Sequence, residues 1–98
     1  MILDDLQAVI LDRKNSPLPA SYVSSLLAKG KDEILKKIGE EAIEVIVASK
    51  SGEREQVIHE LADLWFHCMV LMPVHGLTHR DIFRELEQRL KKKEKRNE

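Results

Sequence analysis

The chain has 98 residues, 43% of them hydrophobic, and this length and composition predict one globular domain spanning residues 1–98. Its 16 lysines and arginines nearly balance its 17 aspartates and glutamates, which argues against a nucleic-acid partner. The single cysteine, Cys68, cannot form an internal disulfide and fits a reducing compartment. Because the net charge is close to zero, any function that depends on charge must rely on a local group of charged residues.

The apolar segments argue against a membrane protein. The N-terminal segment carries Asp4 and Asp5 where a signal peptide would carry basic residues. The longest apolar stretch, residues 61–74, contains Asp63 and His67 and is too short to cross a bilayer. We expect a soluble, cytoplasmic protein with no membrane partner.

The first two predicted helices are bounded by proline and glycine. The first should end before Pro17, and its apolar residues recur at helical spacing. They are Leu3, Leu6, Val9 and Ile10. Ser21 is a candidate N-cap for a short second helix that ends at Gly30. That helix should bury Leu26 and Leu27.

The third and fourth predicted helices are separated by a break at Ser51 and Gly52. Asp32 is the candidate N-cap of the third helix, which should run to about Lys50. The fourth helix should span about residues 53–72. Two helices joined by so short a break form an antiparallel hairpin, which brings their facing side chains together.

The last predicted helix begins at Thr78, which has capping-box spacing with Asp81. Its apolar face consists of Ile82, Phe83, Leu86 and Leu90. No stretch alternates convincingly with period two, so we predict an all-α fold, a helical bundle of about five helices. The fourth helix is apolar around nearly its whole circumference, and five helices supply too few surfaces to cover it. We therefore expect a four-helix core completed by dimerisation, in a homodimer or a larger homo-oligomer.

Two acidic pairs on the predicted hairpin give the strongest signal of chemistry. Glu41 pairs with Glu44 and Glu60 pairs with Asp63, each at i, i+3 spacing. On a helix, this spacing points both carboxylates of a pair to the same side. Asp63 lies within the apolar fourth helix, where a carboxylate is rarely tolerated unless it is paired or binds a metal. The hairpin should bring all four carboxylates together.

The residue types alone leave two interpretations of these acids open. Acidic pairs are common on solvated helix faces, and Lys37 or Arg54 could neutralise part of the cluster. Four oxygen donors, with no clustered cysteine and no histidine at ligand spacing, would instead favour Mg²⁺ or Mn²⁺ over zinc. Because Mg²⁺ shares its coordination sphere with phosphate oxygens, a polyphosphate substrate would follow. His67 by itself is more typical of a hydrogen-bonded core histidine than of a ligand.

The chain resembles the phosphoribosyl-ATP pyrophosphohydrolases, a branch of the MazG-like all-α nucleotide pyrophosphohydrolases. The resemblance covers about residues 13–90 and lies in three ordered segments. They are SYVSSLLAKG (21–30), KKIGEEAIEVIVAS (36–49) and HELADLWFHCMVLM (59–72). It implies Mg²⁺-dependent hydrolysis of phosphoribosyl-ATP to phosphoribosyl-AMP and pyrophosphate, the second step of histidine biosynthesis. Phe66 departs from the tyrosine that the family often has before the histidine.

The resemblance also implies roles for individual residues. The metal ligands would be Glu41, Glu44, Glu60 and Asp63. The proton of the attacking water would go to a carboxylate of the third helix, and the catalytic candidates are Glu40, Glu41 and Glu44. The candidate substrate contacts are Lys37 first, and then Arg13, Lys29 and His67.

Two other functions stay open. A related MazG-like nucleoside triphosphate pyrophosphohydrolase would use the same four carboxylates and differ in the residues that recognise the substrate. A non-enzymatic helical interaction module would need only the apolar helix faces and would show no dependence on metal.

Overall fold

The computed structural model describes the backbone of residues 1–97 and the side chains of residues 1–93. Within that range every regular element is helical, which confirms the predicted all-α fold with five α-helices. They are α1 (Ile2–Asn15), α2 (Tyr22–Lys29), α3 (Lys31–Ser51), α4 (Arg54–Leu71) and α5 (His79–Asn97), with a 3₁₀ helix (Met72–His75) after α4.

The start of α2 is fixed by Ser21, as the sequence predicts. The Ser21 hydroxyl oxygen accepts a hydrogen bond from the backbone N–H of Ser24 at 3.1 Å. Gly30 ends the helix with a φ of 98°, which favours glycine, and α3 begins at the next residue. Asp32 therefore lies inside the first turn of α3, and the prediction that it caps the helix was wrong. Its negative charge there still complements the positive end of the helix dipole.

The hairpin of α3 and α4 is the main packing unit of the fold. Gly52 adopts a left-handed φ of 76° that turns the chain, and the Ser51 hydroxyl donates to the Ala48 carbonyl at 2.8 Å. The two helices then pack against each other more extensively than any other pair in the described chain. The predicted turn at Ser51 and Gly52 is thus confirmed.

A small apolar core joins this hairpin to α1 and α2. Its buried residues are Ile10, Val23, Leu26, Ile34, Met69 and Val70. Because Ile10 comes from α1, Ile34 from α3 and Val70 from α4, and all three are fully buried, the core fixes the position of the hairpin relative to α1.

A polar contact holds α5 to the beginning of α1. His79 is buried, and its Nε2 lies 2.8 Å from Asp4 Oδ1. Arg80 donates to the same oxygen at 2.8 Å. The hydrogen bond from His79, followed by the N-terminal amine and Arg80, holds the pKa of Asp4 below its ordinary value. The predicted cap of α5 is also present, since Asp81 accepts from the backbone N–H of Thr78 at 2.9 Å.

Both helices of the hairpin carry large apolar side chains that stay exposed within a single chain. We call six of them the hairpin surface, and its members are between 39% and 64% exposed. They are Ile43, Ile46 and Val47 on α3 and Ile58, Leu61 and Trp65 on α4. Within Arg54–His75, 28% of the most apolar 18-residue window is buried inside one chain. The remaining residues of α4 are half-buried or exposed in the part of the chain that the structure describes.

By length and composition alone, α4 and the 3₁₀ helix together could cross a bilayer. This continuous segment, Arg54–His75, has 22 residues and is longer than the apolar stretch considered in the sequence. The core helix of a soluble protein meets the same criterion. The segment packs along α3 and carries Glu60 and His67, both of them buried, which is typical of a core helix beside a polar site.

Candidate functional site

The four predicted metal ligands form one continuous group between α3 and α4, here called the carboxylate cluster. One side-chain oxygen from each of Glu41, Glu44 and Glu60 lies within 4.8 Å of the other two. Glu60 and Asp63 belong to a second set with His59, whose ligand atoms also lie within 4.8 Å of one another. Because Glu60 is common to both sets, the two acidic pairs are brought together as the hairpin requires.

Two members of the carboxylate cluster are buried and incompletely hydrogen-bonded. Glu41 is 6% exposed and Glu60 is 7% exposed. The Oε2 atom of each has no hydrogen-bond partner among the residues that the structure describes. A buried carboxylate oxygen without a partner is costly, because it has lost its hydration. These two oxygens and their acidic neighbours fit a divalent cation that prefers oxygen ligands.

The electrostatics of the cluster point the same way. Burial, followed by the neighbouring carboxylates of Glu44 and Asp63, raises the pKa of Glu41 above its ordinary value of 4.5. The contact with Glu44, followed by burial, raises the pKa of Glu60. Full ionisation of the cluster is therefore unfavourable in the metal-free protein, and a bound cation would stabilise the ionised carboxylates.

Internal partners neutralise only part of the cluster. Lys37 Nζ lies 3.6 Å from Glu41 Oε1 and 3.7 Å from Glu40 Oε2, so the lysine predicted to pair with the cluster does so. Arg54, the other predicted cation, contacts its neighbour Glu55 instead, at 3.2 Å. One lysine cannot balance four carboxylates. Neutralisation by cations of the protein therefore accounts for only part of the cluster.

A glutamine that the sequence interpretation missed holds one oxygen of Glu60. Gln56 Nε2 donates to Glu60 Oε1 at 3.0 Å. The two residues are one helical turn apart on α4, so the signal was their i, i+4 spacing. Gln56 carries no charge, so it orients the carboxylate without neutralising it.

His67 is buried with both ring nitrogens engaged inside the chain. Its Nδ1 lies 2.7 Å from the carbonyl oxygen of Asp63, which can only accept, so Nδ1 carries the proton. In the neutral ring, Nε2 then accepts a hydrogen bond from the Tyr22 hydroxyl at 2.8 Å. This arrangement is that of a hydrogen-bonded core histidine, as the sequence analysis considered for His67. It leaves no ring nitrogen for a substrate.

Tyr22 joins α2 to the site, a role that the sequence interpretation did not foresee. The phenol is half exposed and stacks on Phe66, with ring centroids 6.2 Å apart. Burial raises the pKa of the Tyr22 hydroxyl, against the opposing charge of Lys37 and with a smaller contribution from Glu41, and keeps the proton on the oxygen. Tyr22 therefore fixes His67 from outside α4.

The remaining predicted residues are Arg13, Glu40 and Lys29. Arg13 contacts Asp12 at 2.6 Å and lines, with Ser21 and Tyr22, an open cleft of about 390 Å³. Glu40 is exposed beside Lys37, and Lys29 is exposed in the last turn of α2. Of the four predicted substrate contacts, the structure brings Lys37 directly to the carboxylates.

The prediction that no histidine stands at ligand spacing was wrong. His59 Nε2 lies 3.3 Å from Asp63 Oδ2. The residues are four apart on α4 and so share one helix face. The signal was present in the sequence as the i, i+4 spacing of His59 and Asp63.

The raised pKa values of Glu41 and Glu60 predict how the metal-free protein responds to pH. Above the ordinary value of 4.5, the folded state binds more protons than the unfolded state, so the stability contributed by these groups falls as pH rises through their folded pKa values. Glu44→Gln removes a neighbouring charge that raises both. We expect this variant to lose less thermal stability than the wild type between about pH 5 and about pH 8 in EDTA.

Thermal unfolding followed by circular dichroism measures this difference. Glu87→Gln, at an exposed position on α5, is the matched control and should keep the wild-type dependence on pH. Parallel pH profiles for the wild type and Glu44→Gln would contradict the electrostatic interpretation of the cluster.

Comparison with known proteins places this chain in a family. The sequence profile described as Phosphoribosyl-ATP pyrophosphohydrolase matches residues 3–90. A protein of Methylococcus capsulatus named Phosphoribosyl-ATP pyrophosphatase is 49% identical over 88 residues, which cover 90% of this chain and 84% of the relative. Proteins of the same name from Geotalea daltonii and Sulfurisphaera tokodaii are each 50% identical. The alignments cover 90% and 92% of this chain, and 83% and 96% of those relatives. The chain therefore belongs to the phosphoribosyl-ATP pyrophosphohydrolase family.

Proposed function

We propose that this protein hydrolyses phosphoribosyl-ATP to phosphoribosyl-AMP and pyrophosphate, the second step of histidine biosynthesis, in a reaction that requires Mg²⁺. Membership of the family supports the reaction and the substrate. The observation that carries the requirement for metal is the pair of buried oxygens on Glu41 and Glu60, which have no hydrogen-bond partner among the described residues. A hydrolase of phosphoric anhydrides needs positive charge beside its substrate, and a cation bound to the cluster would supply it.

The carboxylate cluster would supply the metal ligands. Glu41, Glu44, Glu60 and Asp63 offer oxygen donors, which favour Mg²⁺ and also suit Mn²⁺. When bound, such an ion neutralises phosphate charge and lowers the pKa of a coordinated water. Gln56 keeps the carboxylate of Glu60 in place through its hydrogen bond.

Two residues of α3 beside the cluster have roles in handling substrate and water. Lys37 places a positive charge beside the cluster, and its ion-pair distances of 3.6 and 3.7 Å are long enough for it to turn toward a phosphate oxygen. Glu40 is exposed beside Lys37 and would accept the proton of the attacking water, a role that Glu41 or Glu44 would take if its oxygen is free of metal.

Residues of α1 and α2 extend the site beyond the cluster. Arg13 and Tyr22 line the same open cleft, and Tyr22 is tied through His67 to the helix that carries Asp63. Arg13 therefore provides a second contact for a phosphate of the substrate, and His67 acts by holding Tyr22. Lys29 is a more distant cationic contact.

Replacing a proposed ligand tests the function directly. Asp63→Asn and Glu44→Gln each remove one negative charge from positions that are not fully buried, so both should fold. We expect each to lower Mg²⁺-dependent release of pyrophosphate from phosphoribosyl-ATP by at least about 100-fold. Glu87→Gln should keep wild-type turnover.

Near-wild-type turnover in both ligand variants would exclude the metal assignment. A panel of nucleoside triphosphates in the same assay tests the substrate, because a related nucleoside triphosphate pyrophosphohydrolase would prefer them to phosphoribosyl-ATP. An absence of hydrolysis with every nucleotide, and no response to metal, would favour a helical interaction module.

Adjacent lysines provide a matched pair for the phosphate contact. Lys36 and Lys37 project about 100° apart on α3, and Lys37 alone faces Glu41. We expect Lys37→Ala to lower kcat/KM by about tenfold or more, since a charge-assisted hydrogen bond to phosphate is lost, and Lys36→Ala to leave it nearly unchanged. Equal losses in steady-state assays would remove the assignment to Lys37.

We propose, in addition, that the active unit is a homodimer or a larger homo-oligomer built on the hairpin surface. Two hairpins that meet there would form a four-helix core from two chains. The exposed Trp65, Ile46 and Val47 support this arrangement, because fully burying one such side chain stabilises an interface by about 1.5 to 3 kcal/mol.

A cytoplasmic location fits the free Cys68, since burial raises its pKa and keeps it as an unreactive thiol.

A charge on the hairpin surface should break the oligomer. We expect Trp65→Glu to shift the protein to monomer mass in size-exclusion chromatography with light scattering at low micromolar concentration, because a glutamate cannot be desolvated there without cost. Leu18→Glu, at an exposed apolar position between α1 and α2, should keep the wild-type mass. A folded, active wild type of monomer mass would refute the oligomer.

A further inference from the structure

The beginning of α4 combines an imidazole with two carboxylates. His59, Glu60 and Asp63 each place one possible ligand atom within 4.8 Å of the other two. His59 and Asp63 are four residues apart, as are the two histidines with which an H-E-x-x-H helix binds zinc. This chain has H-E-x-x-D, so a carboxylate stands in the position of the second histidine.

The distances fit a chelating pair. Two ligand atoms that lie about 2.0 to 2.2 Å from one ion at the tetrahedral angle are separated by about 3.3 to 3.6 Å. His59 Nε2 and Asp63 Oδ2 are 3.3 Å apart. Both side chains are solvent-accessible, at 66% and 39% exposed, so an ion can reach them. The pair needs little rearrangement to bind one.

The burial of Glu60 also favours a bound ion. Glu60 is 93% buried, and its Oε2 has no hydrogen-bond partner among the described residues, while Gln56 occupies only Oε1. When one oxygen of a buried carboxylate is hydrogen-bonded and the other is not, the second oxygen can bind an ion. His59 and Asp63 lie on the same stretch of α4 as this oxygen.

The donor atoms distinguish this set from the neighbouring one. Glu41, Glu44 and Glu60 offer only oxygen, which suits Mg²⁺. The imidazole of His59 adds a nitrogen donor, which shifts preference toward first-row transition ions. Two sets that share one carboxylate, Glu60, resemble the arrangement of two-ion sites in enzymes that cleave phosphates.

We propose that His59, Glu60 and Asp63 form a second divalent-metal site that takes a transition ion such as Co²⁺ or Zn²⁺. The site rests on the proposed function in that it shares Glu60 and Asp63 with the cluster assigned to Mg²⁺. It adds to that cluster a nitrogen ligand that the oxygen-only set lacks, and so gives this chain a metal preference different from that of four carboxylates alone.

Calorimetric titration of the metal-free protein with Co²⁺ alone, and separately with Mg²⁺ alone, tests the site. His59→Gln is the test variant, and His75→Gln is the matched control because it removes another exposed imidazole, in the 3₁₀ helix. We expect His59→Gln to weaken Co²⁺ binding at least about tenfold and to change Mg²⁺ affinity by less than about twofold. The visible absorption of bound Co²⁺ should change in His59→Gln and not in His75→Gln.

The results of these titrations distinguish the second metal site from the Mg²⁺ cluster. Equal Co²⁺ affinity and equal Co²⁺ spectra in the wild type and His59→Gln would overturn the second site and leave His59 as a surface partner of Asp63. An equal loss of Co²⁺ affinity in His59→Gln and His75→Gln would also overturn the second site. Co²⁺ binding that depends on His59, in a protein that does not bind Mg²⁺, would support the second site while contradicting the Mg²⁺ cluster. Circular dichroism confirms that the variants compared are folded.

Discussion

The structure depends on one unfavourable contact, the burial of like-charged carboxylates where α3 packs on α4. Glu41 and Glu60 are almost completely buried, and each leaves an oxygen without a partner in the described chain. Lys37 and Gln56 relieve part of this cost from the same two helices. Apolar packing supplies the opposing free energy, with Ile34 and Val70 fully buried in the core that α1 and α2 complete. The hairpin is thus held closed against its own charge, as expected where function takes precedence over local stability.

Much of the fold could be predicted because local rules and tertiary packing agree. The helix boundaries are fixed to within a few residues by the Ser21 cap, the positive φ angles of Gly30 and Gly52, and the apolar spacing of α1. The carboxylate cluster was equally accessible to prediction, because i, i+3 spacing on two antiparallel helices leaves few other arrangements. Asp32 failed as a cap because α3 follows α2 without a loop, and Gly30 serves the ends of both helices.

The remaining features depend on distances that spacing does not determine. The contact between Tyr22 and His67 joins residues 45 positions apart, and only the packing of α2 against the hairpin creates it. The 3.3 Å approach of His59 to Asp63 depends on side-chain rotamers, although their spacing permits it. The apolar circumference of α4 shows that cover is needed, but the same pattern suits cover from one chain or from two. Trp65, exposed within one chain, marks where that cover is missing.

The central claim is that the buried carboxylates need a cation, and side-chain carboxyl NMR titration measures this most directly. In the metal-free protein, we expect Glu41 and Glu60 to titrate with pKa values above the ordinary 4.5, because of burial and of the contact with Glu44. Saturating Mg²⁺ should move both titration midpoints to lower pH, since the ion stabilises the charged carboxylates. Identical midpoints for both residues with and without Mg²⁺ would contradict a metal site between α3 and α4.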